Sequence, residues 1–235
     1  MARELLRRHG MKAMTLASVL SLLIPALAVA QPTADTVESD ARFDHAVAPA
    51  TRAFELGIST GYTQSRGELG GTMGNVEDVA GPGGLVEVDL GYRILPRLSV
   101  GAYGAFSKFQ RGENVVGNAN VLGASAGIQA VVHLRPDRSI DPWVSVGTGW
   151  KALWVNPVNS PSTSMQGLEL ARLQVGADYR VSKDVAIAPV IGGSVSMFLG
   201  QENEMVSSLS EIHDKKVNVT GFAGLAGRFD LGGAR

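Results

Sequence analysis

The sequence contains no cysteine, so it has neither a disulfide framework nor a thiolate metal site. Charged residues make up only 18% of the 235 residues, below the ~25% usual for soluble domains. Lysine and arginine (21) do not outnumber aspartate and glutamate (22), which argues against nucleic-acid binding, because a basic excess is needed to neutralise phosphates. After residue 30 no apolar run approaches the ~18 residues of a transmembrane helix, which excludes a helical membrane protein.

The first thirty residues have the pattern of a secretory signal peptide. A basic segment (1–12) precedes an apolar stretch (13–27) that ends in Ala28-Val29-Ala30, a small-residue cleavage site. An uncleaved membrane anchor is the alternative, although such an anchor needs ~20 apolar residues. Residues 31–52 are polar, contain Pro32 and Pro49 and show no sustained period, so they are predicted to form a flexible leader.

From residue 53 onward apolar residues recur at every second position, which is the period of a β-strand. Val86, Val88 and Leu90, for example, alternate with Glu87 and Asp89. Strands in globular proteins average ~5–6 residues, but most of these segments are about twice that length or more, and a tilted strand needs ~9–11 residues to cross a bilayer. The alternation predicts eight strands, near residues 53–65, 84–93, 97–109, 120–134, 141–154, 166–181, 184–199 and 215–230.

Short and long links alternate between these predicted strands. The links after the second, fourth and sixth strands are short, and those after the odd-numbered strands are longer. Outer-membrane barrels have this pattern, with short periplasmic turns, longer extracellular loops and an even strand count. The predicted fold is therefore all-β, an eight-stranded antiparallel up-and-down transmembrane β-barrel over residues 53–231, after a cleaved signal peptide (1–30) and a leader (31–52).

The two faces of the predicted strands differ in chemistry. Because an eight-stranded barrel is only wide enough for side chains to fill it, charges on the inner face should pair, and the lumen should be plugged by ion pairs. The predicted lumen charges are Glu55, Glu87, Asp89, Arg93, Arg97, Lys151, Arg172, Asp178, Arg180 and Arg228. The outer face is predicted to carry an aliphatic band between two aromatic belts, formed by Phe54, Tyr62, Tyr92, Phe106, Trp150, Trp154, Tyr179 and Phe229.

The segments Leu85–Arg93 (LVEVDLGYR) and Leu173–Arg180 (LQVGADYR), together with the signal peptide and the long alternating strands, resemble the small outer-membrane β-barrel proteins of Gram-negative bacteria, the OmpA/OmpX/OmpW-like group. The resemblance implies a place in the outer membrane, contact with its lipids and lipopolysaccharide, and insertion by the barrel-assembly machinery. That machinery reads an apolar last strand ending in an aromatic residue, here Phe229, although the chain continues for six residues beyond it.

Candidate chemistry is sparse, and neither a cofactor nor a metal ion is predicted. Glu87 and Asp89 share a strand face and could chelate a cation, but pairing with Arg93, Arg97 or Arg172 is the simpler expectation. His133, predicted to point inward near a turn, is expected to have a hydrogen-bonded structural role. The four histidines are far apart, and a catalytic pair made by His213 with Ser207, Ser208 or Ser210 would need a rigid geometry that a loop does not provide.

The sequence therefore predicts a monomeric outer-membrane barrel of structural or surface-interaction type, without catalysis. A narrow conduit for small solutes or apolar molecules is the main alternative. A lipid-modifying enzyme is a third possibility, and a soluble periplasmic sandwich or lipocalin-like ligand binder is a fourth. The soluble protein would turn its apolar face inward.

Overall fold

The structure, a computed structural model, describes residues 51–71, 74–115, 117–158, 161–203 and 209–233. The described part contains nine strands and one four-residue helix, and no helix in it is long and apolar enough to span a membrane. The elements are β1 (Phe54–Gly67), α1 (Val76–Val79), β2 (Ala80–Leu95), β3 (Leu98–Arg111), β4 (Ala119–His133), β5 (Ile140–Pro157), β6 (Thr163–Arg180), β7 (Val185–Asn203), β8 (Leu209–Glu211) and β9 (Val217–Leu231).

The long strands form a closed antiparallel barrel. Strands β1 to β7 pair in chain order, and β9 lies between β7 and β1. Closure is complete, because β9 pairs with β1 in an unbroken register from Phe54↔Leu231 to Gly67↔Asn218. No barrel strand is therefore left with an unpaired edge, as an apolar membrane interior requires.

The predicted eight-stranded antiparallel barrel is confirmed, and each predicted strand overlaps an observed one. The difference is β8, a short ninth strand outside the barrel that pairs with the end of β7 in the last loop. It extends a hairpin beyond the barrel wall and adds nothing to closure. The predicted signal peptide (1–30) and most of the predicted leader (31–52) lie outside the described residues.

Glycine makes room for a large side chain inside the narrow barrel. Gly127 on β4 and Gly149 on β5 face each other in the register. A Cβ atom at either position would lie 2.7 Å from the Tyr103 hydroxyl. Since that separation is too short for a carbon atom beside an oxygen atom, these two glycines allow Tyr103 to reach across the lumen.

The lumen has two zones of different chemistry. The apolar zone lies at the long-loop end, and α1 packs against it. It consists of Leu69, Val76, Ala80, Phe109, Val121, Leu153, Val155, Met165, Phe198 and Ile212. The ionic zone fills the rest of the lumen, towards the short turns, where charged groups alternate with a second buried apolar cluster that includes Trp143, Val190 and Phe222.

Candidate functional site: the lumen and the barrel surface

The outer surface of the barrel carries a broad apolar band. Exposed large apolar side chains occur on every long strand, and Ile128, midway along β4, is 67% exposed. A soluble monomer rarely exposes a contiguous apolar patch of more than a few hundred Å². This contradicts the soluble alternative, because a lipocalin-like ligand binder would have these apolar side chains lining its interior.

The eight predicted girdle residues all point outward. Phe54 and Tyr92, on adjacent strands at the short-turn end, form an edge-to-face ring pair with centroids 5.2 Å apart. Tyr62, Phe106 and Trp150 are exposed nearer the loop end. Tyr179 is exposed, whereas Trp154 and Phe229 are half-buried.

A first hydrogen-bonded network occupies the short-turn end of the lumen. Arg93 donates to the Glu55 carboxylate and lies 3.3 Å from Nε2 of His133. The other ring nitrogen of His133, Nδ1, lies 2.7 Å from Oδ2 of Asp141. The second carboxylate oxygen of Asp141 accepts a hydrogen bond from the backbone N–H of Arg135 at 2.9 Å. His133 therefore connects an arginine to a carboxylate, and both of its ring nitrogens have partners.

Trp143 organises a second group of charges beside this network. Its indole N–H donates to Oδ1 of Asp178 at 2.8 Å, and the Arg228 guanidinium lies 4.1 Å above its ring. Arg228 also approaches Asp178, at 3.7 Å, and Arg180 pairs with Asp230 at 3.3 Å.

A third network crosses the middle of the lumen. Arg172 on β6 donates to the Glu87 carboxylate on β2, and their side chains are only 8% and 1% exposed. Gln174 donates to the other oxygen of Glu87 at 3.0 Å, and Tyr103 donates to Glu169 at 2.5 Å. The Arg172 guanidinium lies 4.5 Å from the centre of the Tyr103 ring. Because β2 and β6 are not neighbours, the Glu87–Arg172 pair spans the lumen itself.

Two of the predicted lumen charges have neutral partners. Asp89 accepts a hydrogen bond from the Gln129 side chain at 2.6 Å. Lys151 donates to Ser196 at 3.0 Å and to Thr220 at 2.6 Å. The ammonium group is thereby bonded to strands β7 and β9, which lie two and three strands away from β5 around the barrel.

One predicted lumen charge lies elsewhere. Arg97 is exposed in the two-residue turn between β2 and β3, and it lines a surface concavity at the rim. The sequence prediction put Arg97 on the inner face because it continued the inside–outside alternation of the predicted strand. In the structure β2 ends at Leu95 and β3 begins only at Leu98. Because residues in a turn no longer follow the alternation of a strand, the prediction for Arg97 was wrong.

Among the side chains that form these networks, Tyr103, Asp141, Trp143 and Glu169 were not among the predicted lumen residues. Glu169 was missed because β6 has an irregularity between Glu169 and Ala171. A β-bulge shifts the inside–outside alternation by one position. Asp141 and Trp143 follow simple alternation on β5 and could have been found from the sequence.

His133, Asp141 and Asp178 form a compact buried group whose potential ligand atoms lie within 4.8 Å of one another. Each of these three side chains already has a hydrogen-bond or ion-pair partner within the protein. Asp141 accepts from His133 and Arg135, and Asp178 accepts from Trp143 and pairs with Arg228. Two arginines within the same networks, Arg93 and Arg228, already supply the compensating positive charge.

No family model matches the sequence, and no curated protein matches it. Among solved structures the barrel is similar to Neisserial surface protein A (NspA), with a TM-score of 0.50 and 13% identity over 75% of this chain and 96% of NspA. The chain folds as a small outer-membrane β-barrel. Two others have lower TM-scores. The outer membrane protein AlkL, studied in lipid bilayers, has a TM-score of 0.48 and 12% identity over 87% of this chain and 100% of AlkL. Ail of Yersinia pestis has a TM-score of 0.39 and 19% identity over 74% of this chain and 98% of Ail.

The predicted resemblance to small outer-membrane barrels and the predicted location in the outer membrane are thus confirmed. In an outer-membrane barrel the short turns face the periplasm and the longer loops face the outside. The ionic zone of the lumen then lies towards the periplasm, and the apolar zone, with α1 and β8, lies towards the cell exterior.

Proposed function

We propose that this outer-membrane barrel is a closed, monomeric scaffold that holds a structured set of loops at the cell surface and does not conduct solutes. The observation that carries the proposal is the Glu87–Arg172 pair, which joins non-neighbouring strands across the middle of the lumen. An ion plug of this kind stays closed because separating the pair would leave two uncompensated charges in a confined interior.

The space left inside the barrel also supports a closed lumen. A cavity of about 50 Å³ lies between the two zones, bounded by Lys151, Glu169 and Arg172 on one side and by Phe109 and Phe198 on the other. A water molecule needs about 10–15 Å³ of such volume, so only a few waters fit. A channel for sugars or ions would need a continuous path, and among the described residues the apolar zone occupies the outer end of the lumen.

The loops are fastened to one another, which supports a surface-interaction role. The backbone N–H of Gly71 in the first loop donates to the carbonyl of Asp214 in the last loop at 3.0 Å. Lys216 and Glu68 also approach each other across these loops, at 3.9 Å. Leu69 and Ile212 then bury their side chains together in the apolar zone. A loop surface anchored in this way costs less entropy when a partner binds.

The proposed role has no catalytic step and needs no cofactor. Of the serines that could have joined His213, Ser207 and Ser208 lie outside the described residues, and Ser210 is exposed. His213 is also exposed, and its Nδ1 lies 3.1 Å from the Glu211 carbonyl oxygen. The proposed partners are the outer-membrane lipids and lipopolysaccharide around the apolar band, and the barrel-assembly machinery, which would read β9 during insertion.

Conductance distinguishes this proposal from the conduit alternative. Proteoliposomes carrying the refolded barrel should not swell in iso-osmotic sugars, and planar bilayers should show no large steady currents. A general porin reconstituted in parallel verifies the assay, and a heat-modifiable gel shift verifies folding. Steady single-channel steps or sugar-dependent swelling would replace the closed scaffold with the conduit, and uptake of a fluorescent alkane without swelling would indicate a route for apolar molecules.

A further inference from the structure

Two neighbouring periplasmic turns form one cationic concavity at the rim of the barrel. Arg97 lies in the β2–β3 turn, and Arg135 and Arg138 lie in the β4–β5 turn. The turns are joined by the backbone N–H of His133, which donates to the Arg97 carbonyl at 2.9 Å. All three arginine side chains line the same concavity and are exposed.

Positive charge in this concavity exceeds negative charge. Asp137 is the single carboxylate in its lining, and it lies 3.9 Å from Nε of Arg138. Within the described ranges, neither Arg97 nor Arg135 forms an ion pair with a carboxylate. Three guanidinium groups and one carboxylate give the lining of the concavity a net positive charge, so the site is complementary to a negatively charged group.

The same concavity contains lipid-facing apolar side chains. Leu134 and Ile140 are 50% and 55% exposed, and they continue the outward-facing positions of β4 and β5. Ile140 pairs in register with Tyr179, one of the girdle aromatics. The concavity therefore lies at the boundary of the apolar band, with cations on the aqueous side and branched alkyl groups on the membrane side.

We propose that this rim site binds the phosphate headgroup of an anionic phospholipid in the periplasmic leaflet. Arginine forms bidentate hydrogen bonds with phosphate oxygens, and the acyl chains would lie against Leu134 and Ile140. A soluble anion would use the arginines alone, whereas a phospholipid uses both chemistries of the concavity. The inference rests on the membrane orientation of the barrel and is independent of whether its lumen conducts.

Native mass spectrometry of the refolded barrel tests the proposal with phosphatidylglycerol and phosphatidylcholine as probes. The triple variant R97A/R135A/R138A removes the cations of the rim site. A matched control, R66A/K108A/R111A, removes three exposed cations from the loop-end halves of β1 and β3. We expect the parent protein and the control to retain phosphatidylglycerol about tenfold more strongly than phosphatidylcholine, and the triple variant to lose that preference.

Other results would overturn the proposal in distinct ways. An unchanged lipid preference in the triple variant means that the arginines do not form the site. An equal loss in the loop-end control means that general electrostatics are responsible. Displacement of the lipid by millimolar inorganic phosphate means that the site takes a soluble anion. If the triple variant does not fold by gel shift, R97Q and R135Q are measured singly, with about threefold weaker binding expected for each and no change in either overturning the proposal.

Discussion

The two zones of the lumen fill the same narrow tube by different physical means. Strands β4 and β5 contribute to both zones, with His133 and Asp141 at the periplasmic end and Val121 and Val155 at the loop end. In the ionic zone the charged groups depend on particular partners, most of them at hydrogen-bonding distance, as for Arg93 with Glu55 and Arg172 with Glu87. In the apolar zone the contacts are non-directional, and apolar side chains of similar volume can replace one another at modest cost. The comparison indicates that the periplasmic part is specified by pairing and the outer part by packing.

The largest effect is expected from breaking the pair that spans the lumen. Glu87→Ala should lower the free energy of unfolding by about 4 kcal/mol, because Arg172 then stays buried without its main partner. Urea titration of the barrel in detergent, followed by tryptophan fluorescence, measures this loss.

The double variant E87A/R172A completes the cycle for this pair. Its loss should be smaller than the sum of the two single losses by about 2 kcal/mol, since both charges are then removed together. Strict additivity would mean that the two side chains do not interact, and pairing would then not distinguish the ionic zone from the apolar zone.

A smaller loss is expected from a cavity in the apolar zone. Leu153→Ala should lower the free energy of unfolding by about 3 kcal/mol, since it removes buried methyl groups and leaves a void. No second substitution among the charged residues should restore this loss, and it should be unaffected by ionic strength. Leu173→Ala, on the lipid-facing side of β6, serves as the control; a loss as large as that of Leu153→Ala would refute the packing difference.

The smallest effect is expected from an ion pair in the last loop, Lys215 with Glu211, which lies outside both zones of the lumen. Lys215 donates a 2.6 Å hydrogen bond to Glu211, and this bond and the lysine charge lower the pKa of the Glu211 carboxyl. Since the folded pKa is depressed, any stabilisation is present above the unfolded pKa and is lost as the pH falls through the folded pKa. NMR titration of Glu211 in K215M should show its pKa rising towards the ordinary value; an unchanged pKa would refute the pairing.

Strand positions and faces could be read from the sequence because alternation is imposed by the membrane itself. Val86, Val88 and Leu90 must face lipid, which leaves Glu87 and Asp89 inside. The same rule failed where the backbone departs from a regular strand. Arg97 lies beyond the last alternating residue, and Glu169 lies next to an irregularity of β6. Pro96 marks a turn just before Arg97, but a single sequence does not fix the residue at which the next strand begins. It contains no local signal for the irregularity beside Glu169.

The apolar zone was also missing from the sequence prediction, and the reason is physical. Inward valine and phenylalanine residues, such as Val121, Phe109 and Phe198, occur near the loop ends of their strands. They continue the alternation of strands whose lipid-facing residues are equally apolar, so hydropathy alone does not reveal them. Their partners Leu69 and Ile212 come from loops, and only closure of the barrel brings these residues together.

The register between β1 and β9 constrains how the protein can be made. The first strand of the barrel finds one of its two neighbours only after the final strand has left the ribosome. Until then the amide groups along Phe54–Gly67 offer an open template to any extended chain nearby. Assembly of the barrel can therefore end only when the two edge strands of the sheet, β1 and β9, meet.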